Sequence, residues 1–268
     1  MNDILDGLND EQRLAAKHID GALLILAGAG SGKTKTLTTR LAYLIDVVGV
    51  PPSSTLTLTF TNKAATEMRD RSLSLINNKN SAPPLLCTFH KFGLLFLRFH
   101  IGNLHRGTNF VLIDTEDKKK IIKNLHSNLP TSVLASAISG LKNDTLGNIE
   151  ISDDPLHKEI SRVYKQYSAY LLANNMLDFD DLLLLTYEIL SANPSLCSDI
   201  SKKYQYIMVD EYQDTNELQY KLLQRLCKEH NNICVVGDDD QSIYGWRGAN
   251  IDNILDFTKQ FSGAKSFA

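Results

Sequence analysis

Short apolar runs followed by amphipathic patterns recur in the first and last thirds of the chain. The apolar runs predict strands, and they are Ala22–Ala27, Thr55–Phe60, Gln205–Asp210 and Asn232–Val236. Apolar residues at intervals of three and four predict the helices between them, at Lys33–Val48, Asn62–Ile76 and Asn216–Glu229. Strands that are apolar almost throughout, alternating with helices, are typical of a parallel sheet with helices on both faces. The pattern therefore predicts an α/β fold.

The middle of the chain has a different pattern, which is mostly helical from Phe92 to Leu190. Its clearest helical periods are Asp114–His126, Leu156–Ala173 and Phe179–Leu190. Loops are predicted at 102–108 and 143–155, and no strand of the alternating type is predicted. We therefore expect an inserted helical subdomain at 92–192, between two parts of the α/β domain at 1–91 and 193–268.

Composition narrows the class of protein without identifying it. Of the 268 residues, 43% are hydrophobic and 22% charged, as in ordinary globular proteins. The net charge of −3 offers no overall attraction to nucleic acid, so any DNA contact must be local. The four cysteines form no metal-binding spacing, and the N-terminal segment lacks the apolar core of a signal peptide. We expect reduced thiols, a cytoplasmic location and no membrane segment.

A glycine-rich segment after the first predicted strand carries the first candidate site. Its residues are Ala27, Gly28, Ala29, Gly30, Ser31, Gly32, Lys33 and Thr34. The pattern is that of a phosphate-binding loop, except that alanine replaces the first glycine. Glycines let backbone N–H groups turn toward phosphate oxygens, and the following helix N-terminus adds positive charge. Lys33 would contact the β- and γ-phosphates and Thr34 would bind Mg²⁺; the alternative is a flexible turn with an exposed lysine.

Two carboxylates follow another predicted strand. Asp210 and Glu211 would lie at the carboxyl edge of the sheet, where ligands bind in such folds. We assign Asp210 to Mg²⁺ and Glu211 to the activation of the attacking water. Without the phosphate-binding loop, a solvated acidic loop would be the better interpretation. The long separation from Lys33 is accounted for by the helical insertion.

A third segment, residues 237–249, follows the strand predicted at Asn232–Val236. Gln241 would contact the γ-phosphate, while Tyr244 and Trp246 would offer aromatic faces to a nucleic-acid base. The alternative is a charged turn with two core aromatic residues.

Several ordered motifs together resemble the UvrD/Rep/PcrA family of superfamily 1 DNA helicases. They are Leu8-Asn9-Asp10-Glu11-Gln12 (the Q motif), the phosphate-binding loop, Phe60-Thr61-Asn62-Lys63-Ala64-Ala65 (motif Ia), Thr88-Phe89-His90, Asp178-Phe179-Asp180-Asp181-Leu182, Asp210-Glu211-Tyr212-Gln213-Asp214 (motif II) and residues 237–249 (motif III). The resemblance implies a RecA-like P-loop NTPase sheet interrupted by a helical subdomain, with ATP and Mg²⁺ as cofactors and single-stranded DNA as partner.

The resemblance also implies roles for single residues. Gln12 would read the adenine base, and Lys35 would lie beside the nucleotide. The residues implied for DNA contact are Phe60, Thr61, Asn62, His90, Tyr244 and Trp246. On its own, His90 would more often be a structural histidine. The run 118–120 of three lysines fits either a DNA-facing patch or, more simply, a solvated helix face.

The chain departs from the family pattern in two places. It ends at Ala268, before motifs IV, V and VI, so we expect that the second RecA-like motor domain is absent from it. Lys35 replaces an arginine that relatives often carry, and it lacks the planar group that packs on a base.

Together with the phosphate-binding loop and the two carboxylates, the resemblance implies the ATP-binding, ATP-hydrolysing N-terminal motor domain of a 3′-to-5′ DNA helicase that acts on single-stranded DNA, with low activity in isolation. One alternative is a binding module that holds ATP or single-stranded DNA without translocating. Another is one half of a RecB- or AddA-like helicase–nuclease.

Overall fold

Parallel strands form the central sheet of the chain. The computed structural model describes residues 4–26, 28, 30–77, 82–148, 153–238 and 257–267. Its strands are β1 (Leu23–Leu26), β2 (Thr55–Thr59), β3 (Leu85–Thr88), β4 (Val111–Leu112), β5 (Met176–Leu177), β6 (Tyr206–Val209), β7 (Ile233–Gly237) and β8 (Lys265–Phe267). Six of them form one sheet in the order β3–β2–β6–β7–β1–β8, and every neighbouring pair in it is parallel.

Helices connect the strands and supply most of the remaining structure. They are α1 (Asp10–Lys17), α2 (Lys33–Tyr43), α3 (Asn62–Leu75), α4 (Phe89–His100), α5 (Thr115–Lys123), α6 (Thr131–Asp144), α7 (Pro155–Ala173), α8 (Asp181–Ala192), α9 (Pro194–Lys203) and α10 (Glu217–Leu226). None of the helices in the described residues is both long and apolar enough to cross a bilayer.

The chain forms two compact units. The first contains residues 1–89, 194–215 and 223–268, and with them the six-stranded sheet. Its core joins apolar side chains of β1, β6 and β7 to those of α2, among them Ile25, Leu37, Leu41, Met208 and Val236. Burial of these side chains fixes the strand order, which brings the ends of β1, β6 and β7 to one edge.

The second unit contains residues 90–193 and 216–222 and is mainly helical. Its core is built from α5, α6 and α7, with Ile122, Ile138, Val163 and Tyr167 fully or almost fully buried. The two short strands β4 and β5 pair in parallel, with Val111 opposite Met176.

The structure confirms the predicted α/β class, with a parallel sheet flanked by helices. Residues 92–190 contain the strands β4 and β5, but each has only two residues and is too short to show the alternating pattern, which the sequence did not predict there. The loop predicted at 143–155 begins too early, since α6 continues to Asp144, and Ile101–Leu104 form a 3₁₀ turn inside the loop predicted at 102–108. The helix predicted at Lys33–Val48 changes into a π-helical turn after Tyr43 and stops at Gly49, whose φ is 85°.

Candidate nucleotide-binding site and DNA-binding motifs

The glycine-rich loop joins β1 directly to the N-terminus of α2. Gly30 and Gly32 have φ values of 78° and 88°, a left-handed conformation that glycine adopts without steric cost. Gly32 caps α2, which begins at Lys33, and the Ser31 N–H donates to the Gly28 carbonyl at 3.2 Å. Ala27 and Ala29 lie outside the described residues. The loop therefore directs the free N–H groups of the helix N-terminus to the sheet edge.

Lys33 makes an ion pair with Asp238, the first residue after β7. The Lys33 Nζ lies 2.8 Å from the Asp238 carboxylate, and their side chains are 9% and 0% exposed. Asp238 was not among the predicted site residues, although it belongs to the motif III run. The parallel arrangement of β1 and β7 is what places an aspartate beside the phosphate-binding lysine.

Thr34 and Asp210 form the second pair at this edge. The Thr34 hydroxyl donates to Asp210 Oδ2 at 3.3 Å, and Asp210 directly follows β6. Burial, followed by the charge of Glu211, raises the pKa of Asp210 to about 6. A hydroxyl and a carboxylate oxygen are donors that suit Mg²⁺. In the described part of the chain, no group of three His, Cys, Asp or Glu side chains could hold a metal ion.

Glu211 has a backbone φ of 52°, in the left-handed region that non-glycine residues seldom occupy. The side-chain amide of Gln213 donates to the Glu211 carboxylate at 2.6 Å. The same amide accepts a hydrogen bond from the Asp238 backbone N–H at 3.1 Å. Gln213, which the sequence did not single out, thus connects the end of β7 to the carboxylate predicted to activate water.

Gln12 lies beside the glycine-rich loop. Its amide nitrogen donates to the Ser31 carbonyl at 2.8 Å, so α1 is tied to the loop. The Lys35 ammonium donates to the carbonyl of Gly7, ahead of α1. A cavity of about 120 Å³ is lined by Gln12, Ser31 and Lys33, among others. Three of the residues predicted for ATP binding therefore line one cavity.

The motif Ia residues lie just after β2 in the first unit. Phe60 packs against Phe89 with ring centroids 5.4 Å apart. Thr61 caps α3 by accepting from the Ala64 N–H at 3.1 Å, and both Thr61 and Asn62 are exposed. These two residues can therefore be reached by a ligand from solvent.

His90 belongs to the second unit, where its ring stacks on Phe179 with centroids 3.9 Å apart. Burial lowers the pKa of His90 to about 4, so the imidazole is neutral at pH 7. Phe179 is 55% exposed. Phe179 was given no role of its own from the sequence, although an apolar ring between two aspartates is a signal that could have identified it.

Gln241, Tyr244 and Trp246 lie outside the described residues, as does the rest of 239–256. Their predicted roles therefore remain predictions.

The solvated-face interpretation of the lysine run was wrong for Lys118. Its ammonium lies 2.9 Å from Asp180 and 3.3 Å from Asp178, and the residue is 6% exposed. Lys142, 1% exposed, also pairs with Asp178, at 2.8 Å. Lys119 and Lys120 do pair with Glu116 and Asp117 on the helix surface.

Comparison with known proteins shows the family. Residues 8–262 match the UvrD/REP helicase N-terminal domain, and the chain belongs to this family. It is 42% identical over 99% of its length to the ATP-dependent DNA helicase PcrA of Staphylococcus aureus strain COL. It is 41% identical, again over 99% of its length, to the protein of the same name in Staphylococcus epidermidis strain ATCC 12228. The chain spans 38% of the length of each of these relatives.

Proposed function

We propose that the chain is the ATP-binding and ATP-hydrolysing N-terminal motor domain of a 3′-to-5′ DNA helicase that acts on single-stranded DNA. The observation that carries the proposal is the meeting of Lys33, Thr34, Asp210 and Asp238 at the carboxyl edge of one parallel sheet. Family membership supports a nucleotide-driven DNA enzyme. Buried free thiols and the absence of a spanning helix among the described residues are compatible with the cytoplasmic location we propose.

The phosphates would bind where the loop meets α2. Backbone N–H groups of the loop and the Lys33 ammonium supply the positive charge. Asp238 competes for Lys33, so phosphate binding exchanges one anion for another at the same ammonium. Thr34 and Asp210 would hold Mg²⁺, which when bound neutralises charge on the phosphates.

Glu211 would orient and deprotonate the attacking water. Its carboxylate accepts from Gln213 at 2.6 Å, which restricts its orientation. Gln241 would complete the site from motif III. In this division of roles, Lys33 binds the nucleotide and Glu211 acts only in the chemical step.

Glu211→Gln tests the hydrolytic half of this proposal. The amide keeps the size of the side chain but cannot accept the proton, so hydrolysis should fall by roughly 10²- to 10⁴-fold while ATP affinity stays nearly unchanged. Calorimetric titration and a phosphate-release assay on the same samples measure the two quantities. Glu116→Gln on α5 is the matched control and should match the wild type in both. A binding module without hydrolysis would show no phosphate release in any of the three proteins.

Single-stranded DNA would contact the motif Ia residues Phe60, Thr61 and Asn62, and also His90 with its stacking partner Phe179. An exposed aromatic ring offers a face to any base, so such contacts need no sequence preference. Tyr244 and Trp246 would add to these DNA contacts from motif III.

We also propose that residues 92–192 form a helical subdomain inserted in the RecA-like domain, which the division into two units supports.

Trp246 is the only tryptophan, so its fluorescence reports on the DNA contact. Oligo(dT) should quench the emission, and Trp246→Ala should weaken binding by roughly 5- to 150-fold, the value of one base–aromatic stack. Fluorescence anisotropy of a labelled oligonucleotide gives the affinities. Tyr170→Ala, which removes an exposed aromatic side chain of α7, is the control and should bind like the wild type. Unchanged emission at saturating DNA would remove Trp246 from the site.

A further inference from the structure

Phe179 lies between two aspartates whose carboxylates share one buried ammonium. The Lys118 Nζ lies 3.3 Å from Asp178 Oδ2 and 2.9 Å from Asp180 Oδ2. Lys118 is 6% exposed and Asp178 is 2% exposed, whereas Phe179 between the two carboxylates is 55% exposed. The side chains on both sides of Phe179 are therefore anchored to α5, while much of the phenyl ring faces solvent.

The phenyl ring has little packing of its own to fix its position. It stacks on His90, with ring centroids 3.9 Å apart. Phe179 also borders a cavity of about 550 Å³, which Lys118 and Ser139 line as well. A half-exposed ring beside a cavity gains only part of the free energy of full burial. Its position therefore depends on the backbone that carries it, which the two anchored aspartates hold.

The two aspartates depend on Lys118 to different degrees. Asp178 also accepts from Lys142 Nζ at 2.8 Å, so it keeps a cation without Lys118. Asp180 accepts from the Ser139 hydroxyl at 2.6 Å, but among the described residues its only ion pair is with Lys118. A carboxylate that loses its cation gains free energy by turning to water. Because Asp180 adjoins Phe179, loss of Lys118 should displace the phenyl ring while the rest of the cluster stays paired.

We propose that Lys118 is a positioning residue that holds Phe179 in place to stack on a base of single-stranded DNA. It does so by binding the carboxylates on both sides of the phenyl ring, and its own buried ammonium needs no contact with DNA. The inference rests on the proposed function, because it takes Phe179 and its stacking partner His90 to be a DNA contact.

The same helix offers a matched control for the loss of one positive charge. Lys120 lies two residues after Lys118 on α5, where its side chain is 74% exposed and pairs with Asp117. Lys118→Met and Lys120→Met remove the same ammonium, once from the buried cluster and once from the helix surface, and methionine forms helices about as well as lysine. The remaining variants are Phe179→Ala, Lys118→Met/Phe179→Ala and Lys118→Met/Asp180→Asn.

Fluorescence anisotropy of labelled oligo(dT) measures the DNA affinity of each folded protein. Phe179→Ala should weaken binding by roughly 5- to 150-fold, the value of one base–aromatic stack. Lys118→Met should weaken binding by at least about fivefold, and by nothing further in the Phe179→Ala background, because it acts only through the ring. Lys120→Met should bind within about twofold of the wild type, since salt screens an exposed charge.

Neutralising the partner of Lys118 should restore the contact. Lys118→Met/Asp180→Asn leaves no uncompensated charge, and the amide can still accept from the Ser139 hydroxyl. Its DNA affinity should recover to within about threefold of the wild type, because replacing both members of a buried ion pair can be nearly neutral.

The proton resonances of the His90 imidazole provide a readout that needs no DNA. A phenyl ring stacked on the imidazole shifts these resonances upfield, and His90→Gln identifies them by their loss. The upfield shift should disappear in Lys118→Met and persist in Lys120→Met. A lysine that only stabilised the fold would leave the shift unchanged in the folded protein.

Wild-type DNA affinity with an unchanged His90 signal in folded Lys118→Met would overturn the inference. So would a further loss of affinity when Lys118→Met is added to Phe179→Ala, because the lysine would then act by its charge. If Lys118→Met does not fold, Asp180→Ala removes the same ion pair from its other end, and wild-type affinity there would be equally decisive. Wild-type affinity in Phe179→Ala would instead refute the proposed DNA contact of the ring, and the inference with it.

Discussion

At the scale of single residues, the site consists of one ion pair and two hydrogen-bonded pairs at one sheet edge. Lys33 faces Asp238, Thr34 faces Asp210, and Gln213 faces Glu211. Removing one partner of a buried ion pair leaves an uncompensated charge, which costs free energy. The Lys33 ammonium should therefore exchange Asp238 for another anion more readily than it would remain unpaired. The ion pair with Asp238 therefore holds the Lys33 ammonium at the sheet edge.

His90 provides a pH-dependent prediction for the second unit. Its pKa is lowered by burial to about 4, below the value near 6.5 of an unfolded histidine. Protonation therefore favours the unfolded chain, and the stability present above pH 6.5 is lost as the pH falls toward 4. Between pH 7 and pH 5 the wild type should lose about 2 kcal/mol more than His90→Gln.

Urea denaturation of both proteins at the two pH values measures this difference. Parallel loss of stability in the wild type and His90→Gln would show that His90 is not held neutral. A neutral ring also means that any DNA contact at His90 is not an ion pair.

At the scale of elements, the sequence pattern predicted the type of most long elements and missed the short ones. Strands β1, β2, β6 and β7 are apolar runs that are buried on both faces, so the pattern reports them directly. β3 leads into α4 with no residue between them, and β8 is a three-residue edge strand. Neither stands out from its neighbours as a separate apolar run, so tertiary pairing decides them.

The sequence predicted single residues of the candidate site better than it predicted the contacts between them. Lys33, Thr34 and Asp210 follow from motif chemistry and from their positions after strands. The Lys33–Asp238 pair and the Gln213 bridge depend on strand order, which the sequence does not state. The burial of Lys118 was missed because its neighbours Lys119 and Lys120 are solvated, and only α6 and Asp178–Asp181 reveal its partners.

Two helical glycines give opposite predictions for the same substitution. A Cβ at Gly93 in α4 would lie 2.4 Å from the Leu182 carbonyl oxygen, so one of the two backbones must shift. At Gly140 in α6, the nearest atom would be a carboxylate oxygen of Asp144, at 3.6 Å. Gly93→Ala should destabilise by about 1–3 kcal/mol through overpacking, whereas Gly140→Ala should stabilise by about 0.5–1 kcal/mol through helix propensity.

Chemical denaturation of the two variants beside the wild type checks both signs. Each variant serves as the control for the other, because the same methyl group is added inside a helix. A stabilised Gly93→Ala protein would mean that α4 and α8 do not approach each other as described.

At the scale of the whole molecule, the chain combines a sheet unit, which contains the residues proposed to bind nucleotide, with a mainly helical unit. It belongs to the UvrD/REP helicase N-terminal domain family and spans 38% of the length of the PcrA relatives it matches. With a net charge of −3, it depends on local contacts for any polyanion, whether nucleotide or DNA. The nucleotide site is therefore the feature on which the rest of the account depends.

Calorimetric titration of MgATP into the wild type, Lys33→Ala and Lys202→Ala tests that site most directly. Lys202 is an exposed lysine of α9 and controls for the loss of one positive charge. Circular dichroism confirms that each protein is folded. We predict binding to the wild type and Lys202→Ala with equal affinity, and a loss of at least about 100-fold in Lys33→Ala, since a charge bound to phosphate is removed. Equal ATP affinity in folded Lys33→Ala and the wild type would contradict the assignment of this loop as the nucleotide site.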